Sequence, residues 1–481
     1  MSTSTPPPEK SGIGVDQWVA EADDRRAGTI MRRVEDLMER TPPVVKMAVL
    51  LLPLVLYPLF VDSGYLMQVG IDTLVFVLLA LGLNVAVGWV GLLDLGYIAF
   101  FGIGAYFYAA LASEYAGRNW DAQWALPVVV AGTAVMGFLL GLPSRRLVGD
   151  YLAIVTLFFL QLFLVVVLNS RFTRGPNGIS DIEPLSFFGR EVTSLDGSFY
   201  VLVVAFAVVF GVLYLVNQSR TGRAWRALRE DELAAELMTM PVDRLKLLAF
   251  SFGAGVAGLA GALFAAQQGA IFPSSVAIPL LITVYAMVVL GGPGSLVGVV
   301  IGAVLINASM EALQSPGEAS PLFFAALVLG LAFAMRPWWR FISVLAGTIV
   351  LGFVVHALAE QFWPSLTSGT STGEARIDDA VSNWVLLPEN LITGDGLPAG
   401  AAARLMYIGL IAAVLGLTLV RNRAVRTVLL VPILYLACCV WENILLPQPS
   451  VTRFVLIGAM LVALMAARPQ GLFGKQRVEI I

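Results

Sequence analysis

FYVLVVAFAVVFGVLYLV (199–216), NQSRTGRAWRALREDELAAELMTMPVDRLK (217–246) and LLAFSFGAGVAGLAGALFAA (247–266) follow one another directly, and their joint reading decides the fold. The outer two runs have the length and composition of membrane-crossing helices. The middle one is the longest strongly charged segment between two apolar runs. Arg220, Arg223, Arg226, Arg229, Arg244 and Lys246 sit there among Glu230, Asp231, Glu232, Glu236 and Asp243. No helix breaker intervenes between Gly222 and Met240, and Pro241 then stops the run, so one helix is predicted. Arg226 and Glu230 are four apart and Arg229 and Glu232 three apart, a spacing that lets ion pairs support a helix face. Ala224, Ala227, Leu228, Ala234, Ala235, Leu237 and Met238 add small and apolar surface. Hung between two spans, such a helix is either a solvated loop or a piece shaped to be gripped.

The rest of the chain is mostly oil. Its 481 residues are 58% hydrophobic and only 13% charged, against about 25% charged in soluble domains. Net charge is −3, and no basic block points to nucleic acid. Cys438 and Cys439 are adjacent within an apolar run, which suits neither a disulfide framework nor a zinc site. His356 is the single histidine, so histidine-based metal chemistry is not expected. No GxxxxGK[ST] loop occurs, and no nucleophile–base or carboxylate pair at catalytic spacing emerges, so the chain reads as a non-enzyme with no cofactor of its own.

Residues 1–43 are polar, begin Pro-rich, and lack the basic n-region and apolar core of a signal peptide. Val15 to Met38 has a rough amphipathic pattern whose arginines suit an anionic membrane surface, with a disordered tail as the equal alternative. Apolar runs then recur from residue 44 to 467. Several fall short of the ~20 residues a straight crossing needs. The expected fold is an all-α polytopic membrane protein of about 12–14 spans, some broken by Gly-rich segments. With the N-terminal arginines inside, alternation puts Arg145–Arg146, the 217–246 loop, Arg336–Arg340, Arg421–Arg426 and the 468–481 tail on the same side. The acid-rich 359–404 loop falls outside, so both termini are expected in the cytoplasm. Small residues at i+4 spacing (Gly253, Ala257, Gly261, Ala265, and Gly294, Gly298, Gly302) predict close helix contacts. Three stretches interrupt apolar runs with glycine and polar groups: GWVGLLDLG (88–96), GPNGI (175–179) and GGPGS (291–295). In transporters, broken helices of this kind mark substrate paths.

Seven runs carry a resemblance: GWVGLLDLGYIAFFGIGAYFYAAL (88–111), GDYLAIVTL (149–157), RGPNGIS (174–180), GRAWRALREDELAAELM (222–238), KLLAFSFGAGVAGLAGALFAAQQG (246–269), VVLGGPGS (288–295) and RPQGLFG (468–474). Together, in this order and spacing, they resemble LivM-type permease subunits of branched-chain amino-acid ABC importers. The resemblance covers about residues 69–310 and the C-terminal tail. It implies a bacterial inner-membrane subunit working with a homologous H-type permease, two ATPase subunits that bind ATP and Mg, and an external amino-acid-binding protein. It also implies that 222–238 docks in an ATPase groove, through Gly222, Arg223, Ala224, Arg226, Ala227, Arg229, Glu230, Asp231, Glu232, Ala234 and Ala235. Departures are Leu160-Gln161 where the family often has Gly-Glu, Thr239 and Arg174 at usual glycines, and roughly 115 added residues, about four spans, before RPQGLFG. Both 321–337 and 452–469 resemble the family's last span.

The expected organisation is a 44–310 permease core with its 217–246 docking loop, a 311–467 added region with an external loop at 359–404, and the tail. That loop is expected to be replaceable by a linker. Asp94 either lines the path or caps the next helix. Gln161 faces the route or bonds a neighbouring helix. Tyr97 is a path residue or an interfacial anchor. Pro176, Asn177 and Gly178 form an external turn that could meet the binding protein. His356, Glu442 and Arg453 are expected to snorkel or sit at helix ends. Bulky substitution at Ala234 or Ala235, or charge reversal at Glu232, is expected to disturb docking. The reading is an ATP-driven importer subunit for small amino acids. Urea or a small amide is the neighbouring cargo, and a stand-alone ion-coupled transporter is the rival class.

Overall fold

The computed structural model describes residues 43–113, 119–144, 147, 149–314, 316–335, 338–367, 381, 383–388, 399–420, 422–446, 449–467 and 471–473. The N-terminal tail and most of the 359–404 and 468–481 segments lie outside these residues. Helices dominate: α1 (Pro43–Phe60), α2 (Gly64–Leu83) running into a π-helix, π1 (Asn84–Val90), α3 (Tyr97–Ala112), α4 (Ala122–Ser144) and α5 (Asp150–Asn169). A two-stranded hairpin, β1 (Ser186–Phe187) and β2 (Arg190–Glu191), precedes α6 (Leu195–Gln218). Then come α7 (Arg220–Glu230), α8 (Glu232–Leu237), α9 (Val242–Gln268), α10 (Ile278–Gly291), α11 (Leu296–Ala312), α12 (Pro316–Ala334), α13 (Trp338–Phe362) and α14 (Ala399–Leu419). The series closes with α15 (Arg423–Val440), which continues into π2 (Trp441–Leu445), and α16 (Pro449–Ala467). Among the described residues eight helices are long and apolar enough to cross a membrane, and five shorter apolar helices accompany them. The protein is an all-α polytopic membrane protein.

The chain forms two compact units, one of residues 1–306 with 461–481 and one of residues 307–460. In the first, α9 is the central column. Its small stripe packs as its spacing predicts: Gly253, Ala257, Gly261 and Ala265 are all buried. A Cβ on Gly261 would collide with the Phe101 carbonyl of α3, and one on Gly258 with the Thr133 side chain of α4. Backbones that approach this closely gain dispersion contacts that lipid cannot replace. The three Gly-rich interruptions break the regular α-helix. π1 ends at Gly91 (φ 79°) and the chain stays irregular to Gly96. Gly175–Asn177 is a single 3₁₀ turn, and Gly292 and Gly294 take positive φ between α10 and α11.

The tail returns to this unit. Leu472 N–H donates to the Leu290 carbonyl (2.9 Å) and Phe473 N–H to that of Gly291 (3.1 Å), groups left open at the C-terminal end of α10. The second unit has its own core. It gathers Val385, Leu387, Tyr435, Cys438 and Cys439, and a smaller cluster around Trp441, whose ring stacks on Phe323 at 4.0 Å. Part of the expected external loop is therefore interior. Residues 384–387 leave a turn and run into this unit, with Val385 fully buried. Tyr435 Oη donates to the Trp384 carbonyl (3.2 Å) and Asn443 Nδ2 to that of Leu386 (2.7 Å), while His356 Nδ1 lies 3.3 Å from the Val385 oxygen. His356 and Asn443 thus face the interior rather than water. Glu442 is buried too, accepting from Ser320 Oγ at 2.9 Å; of its two expected readings it takes the helix end, in π2 directly after α15, and does not snorkel. Cys438 and Cys439 are free thiols.

Candidate functional site

The charged segment does not form one helix. It breaks at Asp231 (φ −154°, ψ 112°), whose carboxylate accepts from Ala234 N–H (3.0 Å) and so caps α8 after α7 has ended. An aspartate that satisfies an orphan N–H from outside the helix favours a restart over continuation. The ion pairs expected along a single face give way to other partners. Arg226 bonds the carbonyl and side-chain oxygens of Asn217, and Arg223 Nη1 donates to the Gln218 carbonyl (3.0 Å). Glu232 pairs with Lys246 at 2.6 Å. The Lys246 side chain is only 2% exposed, so this pair ties α8 to the root of α9.

The residues read as one docking surface separate into two sets. Arg223, Arg226, Ala227, Glu230, Asp231 and Ala234 are exposed. Gly222 and Ala235 are buried, Ala224, Arg229 and Glu232 half-buried, and these face their own chain. The most outward apolar groups are ones the sequence did not single out as docking residues: Leu233 (72% exposed), Leu237 (85%) and Met238 (77%). They project together from a helix of less than two turns.

Beneath them lies an interior network. Trp225 is fully buried. Its Nε1 donates to the Leu245 carbonyl (2.9 Å) and its ring stacks on Trp89 with centroids 6.1 Å apart. Trp89 Nε1 donates to the Gly294 carbonyl (3.2 Å), and Gly294 N–H donates to Asn84 Oδ1 (2.8 Å). Arg229 Nη1 donates to the Gly88 carbonyl and, at 3.3 Å, to that of Pro293. The 88–96 and 291–295 breaks thus meet each other and the charged segment at one place. Trp89, Trp225 and Asn84 were not anticipated. A tryptophan amid arginines and an asparagine within an apolar run are the signals that pointed to them.

The other candidates disperse. Asp94 is buried. Its Oδ1 accepts from Gly96 N–H (2.9 Å) just before α3, and its backbone carbonyl accepts from Tyr285 Oη (2.7 Å). This is an Asx turn before the N-cap Gly96, and the start of α3 itself carries no side-chain cap. Tyr97 is no interfacial anchor: it is buried and donates to the Leu79 carbonyl (2.8 Å). Gln161 is half-buried in an open apolar groove of about 530 Å³ between α4 and α5, beside Leu140, Phe158, Leu162 and Val165. Pro176 and Asn177 are exposed on their turn, whereas Gly178 is buried. Next to it Ile179 exchanges backbone hydrogen bonds with Ile271 (3.0 and 2.8 Å).

Residues 65–332 match the family described as branched-chain amino acid transport system / permease component. The chain is similar to the high-affinity branched-chain amino acid transport system permease protein LivM of Escherichia coli, 39% identical over 304 residues, covering 58% of this chain and 71% of that one. It is also similar to LivH of Salmonella typhimurium (26% over 255 residues, 50% and 82% covered) and BraD of Pseudomonas aeruginosa (27% over 252 residues, 48% and 80% covered). No solved structure matches it.

Proposed function

The chain belongs to the permease-component family of branched-chain amino acid transport systems, and from that premise we propose that it is the translocation subunit of an ATP-driven importer for branched-chain or other small amino acids. ATP and Mg sit on two partner ATPases, a homologous permease completes the pathway, and an external binding protein delivers the cargo. The bundle lies in the bacterial inner membrane with both termini and the α7–α8 segment on the cytoplasmic side, in keeping with the arginine bias of those loops. ATPase closure moves the docking segment and turns the cavity from one side to the other.

The observation that carries this reading is the apolar knob of Leu233, Leu237 and Met238, raised on a charged segment between two spans. Exposed apolar side chains amid charges are costly in water and fit a groove in a partner. The exposed charges of Arg223, Arg226, Glu230 and Asp231 precede the knob in the chain and set register. Ala235 is spent on internal packing and Glu232 on Lys246, so substitutions there test the fold of the segment rather than docking.

The experiment is Leu237→Asp in the reconstituted four-subunit complex. Because Leu237 touches water in the isolated chain, the variant should fold and insert normally. The ATPases should fail to co-purify, and ATP-dependent leucine uptake into proteoliposomes should be lost. Normal co-purification with normal uptake would overturn the docking surface, and uptake unaffected by omitting the ATPases would overturn the class.

A further inference from the structure

Arg229 lies on the charged segment, yet its guanidinium is turned away from the docking knob. It reaches the Gly88 carbonyl, near the end of π1, and the Pro293 carbonyl, in the loop after α10. Gly88 is in the last turn of π1 and Pro293 lies beyond the end of α10, positions where carbonyl lone pairs lack an intrahelical donor. A cation there is favoured by the negative end of the helix dipole as well as by its hydrogen bonds. The fit is tight. A Cβ on Gly294 (φ 97°) would stand 2.8 Å from Arg229 Nη1, and one on Gly91 (φ 79°) 3.1 Å from its Cγ. Glycines at these two positions leave room for the side chain and allow the backbone turns beside it.

We propose that Arg229 is the positioning residue that couples the docking segment to the two interrupted spans, so that displacement of α7 is delivered to the 88–96 and 291–295 breaks together. Trp225 on Trp89 and the Asn84–Gly294 bond hold the same parts in register, but those contacts join fewer of them directly. One guanidinium nitrogen, Nη1, donates to carbonyls on two different spans and so ties both to one helix. A lysine ends one atom short of the Nη1 position on a flexible stem, so its ammonium cannot hold both carbonyls as well. Arg229 therefore transmits force and does not touch the ATPase. This inference rests on the importer reading above, and its test separates the two.

The complete complex is reconstituted with wild-type chain, Arg229→Met and Arg229→Lys. ATPase co-purification, ATP hydrolysis and leucine transported per ATP are measured on each. Wild-type complex must couple ATP to uptake, and if it does not, the importer reading itself fails. In Arg229→Met the ATPases remain bound and hydrolyse ATP, while transport per ATP falls by about fivefold or more, the lower edge of ordinary coupling between sites. Arg229→Lys lies between the two. Unchanged transport per ATP in Arg229→Met overturns the proposal. So does loss of the ATPases from that variant with its membrane bundle intact, which would make Arg229 part of the docking surface. Should Arg229→Met not accumulate, Arg229→Lys decides alone: a reduced ratio with bound, active ATPases sustains the coupling role, and a wild-type ratio removes it.

Discussion

Glu232 shows how a side chain's task is set by what lies fourteen residues further on. Its carboxylate sits 2.6 Å from Lys246 Nζ, and the lysine is nearly sealed from water. Removing the half-buried carboxylate leaves the sealed ammonium uncompensated, which destabilises the fold. Glu232→Gln is therefore expected to lower the melting temperature of the purified complex. Adding Lys246→Met should restore most of the loss, because an apolar chain of similar length suits the site. No shift in the single variant would show that the pair contributes nothing to stability. Residue types were legible in the sequence here, but partners were not. Helical spacing predicts i, i+3 and i, i+4 pairs and has no view of Asn217, Lys246 or the Gly88 carbonyl. Tyr97 makes the same point. An aromatic hydroxyl beside a glycine break reads as a membrane-surface anchor until its neighbour at Leu79 is known.

At the scale of elements, the helices were readable because apolar length and small-residue spacing are written directly into the chain. The stripe on α9 is the clearest case. What could not be read was the capture of an irregular segment by helices far away in sequence. Residues 384–387 lie in a stretch that scans as an external loop. Unwound backbone inside a bundle persists only where its polar groups are satisfied, and Tyr435 and Asn443 supply donors to it. Replacing all of 359–404 by a linker is thus expected to damage the second unit, contrary to the sequence reading. Two native thiols report on it, since Cys438 and Cys439 are buried in the same cluster. Val385→Asp, which places a charge at a fully buried position, should speed maleimide labelling of these cysteines in membranes by tenfold or more. An unchanged rate would show that the segment is not part of that core. Tyr435→Phe, which removes the hydroxyl's bonds to the Trp384 carbonyl and to Cys439, should cost about 1–3 kcal/mol in a melting experiment.

For the whole molecule, sidedness is open to direct test. Phe188 at the β1–β2 turn and Leu237 on α8 are 87% and 85% exposed, and the importer reading puts them on opposite faces. In a chain with Cys438 and Cys439 replaced by alanine, Phe188→Cys should react with an impermeant thiol reagent added to intact cells and Leu237→Cys should not. The reverse would invert the topology. The architecture also accounts for the two stretches that resemble a last span. EALQSP (311–316) and ENILLP (442–447) each follow one apolar helix and precede another that runs towards Arg-Pro. The sequence thus carries this helix–link–helix order twice, the first copy partly within the family match and the second leading to the tail. Ending the chain after Ala467 should lower both stability and uptake at equal abundance, because the carbonyls of Leu290 and Gly291 lose their donors. Equal stability would make the tail's seat incidental. The seating of Leu472 and Phe473 also has a consequence in time. A ribosome makes Leu290 and Gly291, then the whole of the second unit, and only afterwards the residues that close over them. The first unit therefore waits, unfinished, through the synthesis of the second. A translation product that stops early carries this gap openly, which gives membrane quality control a mark by which to tell a partial chain from a finished one.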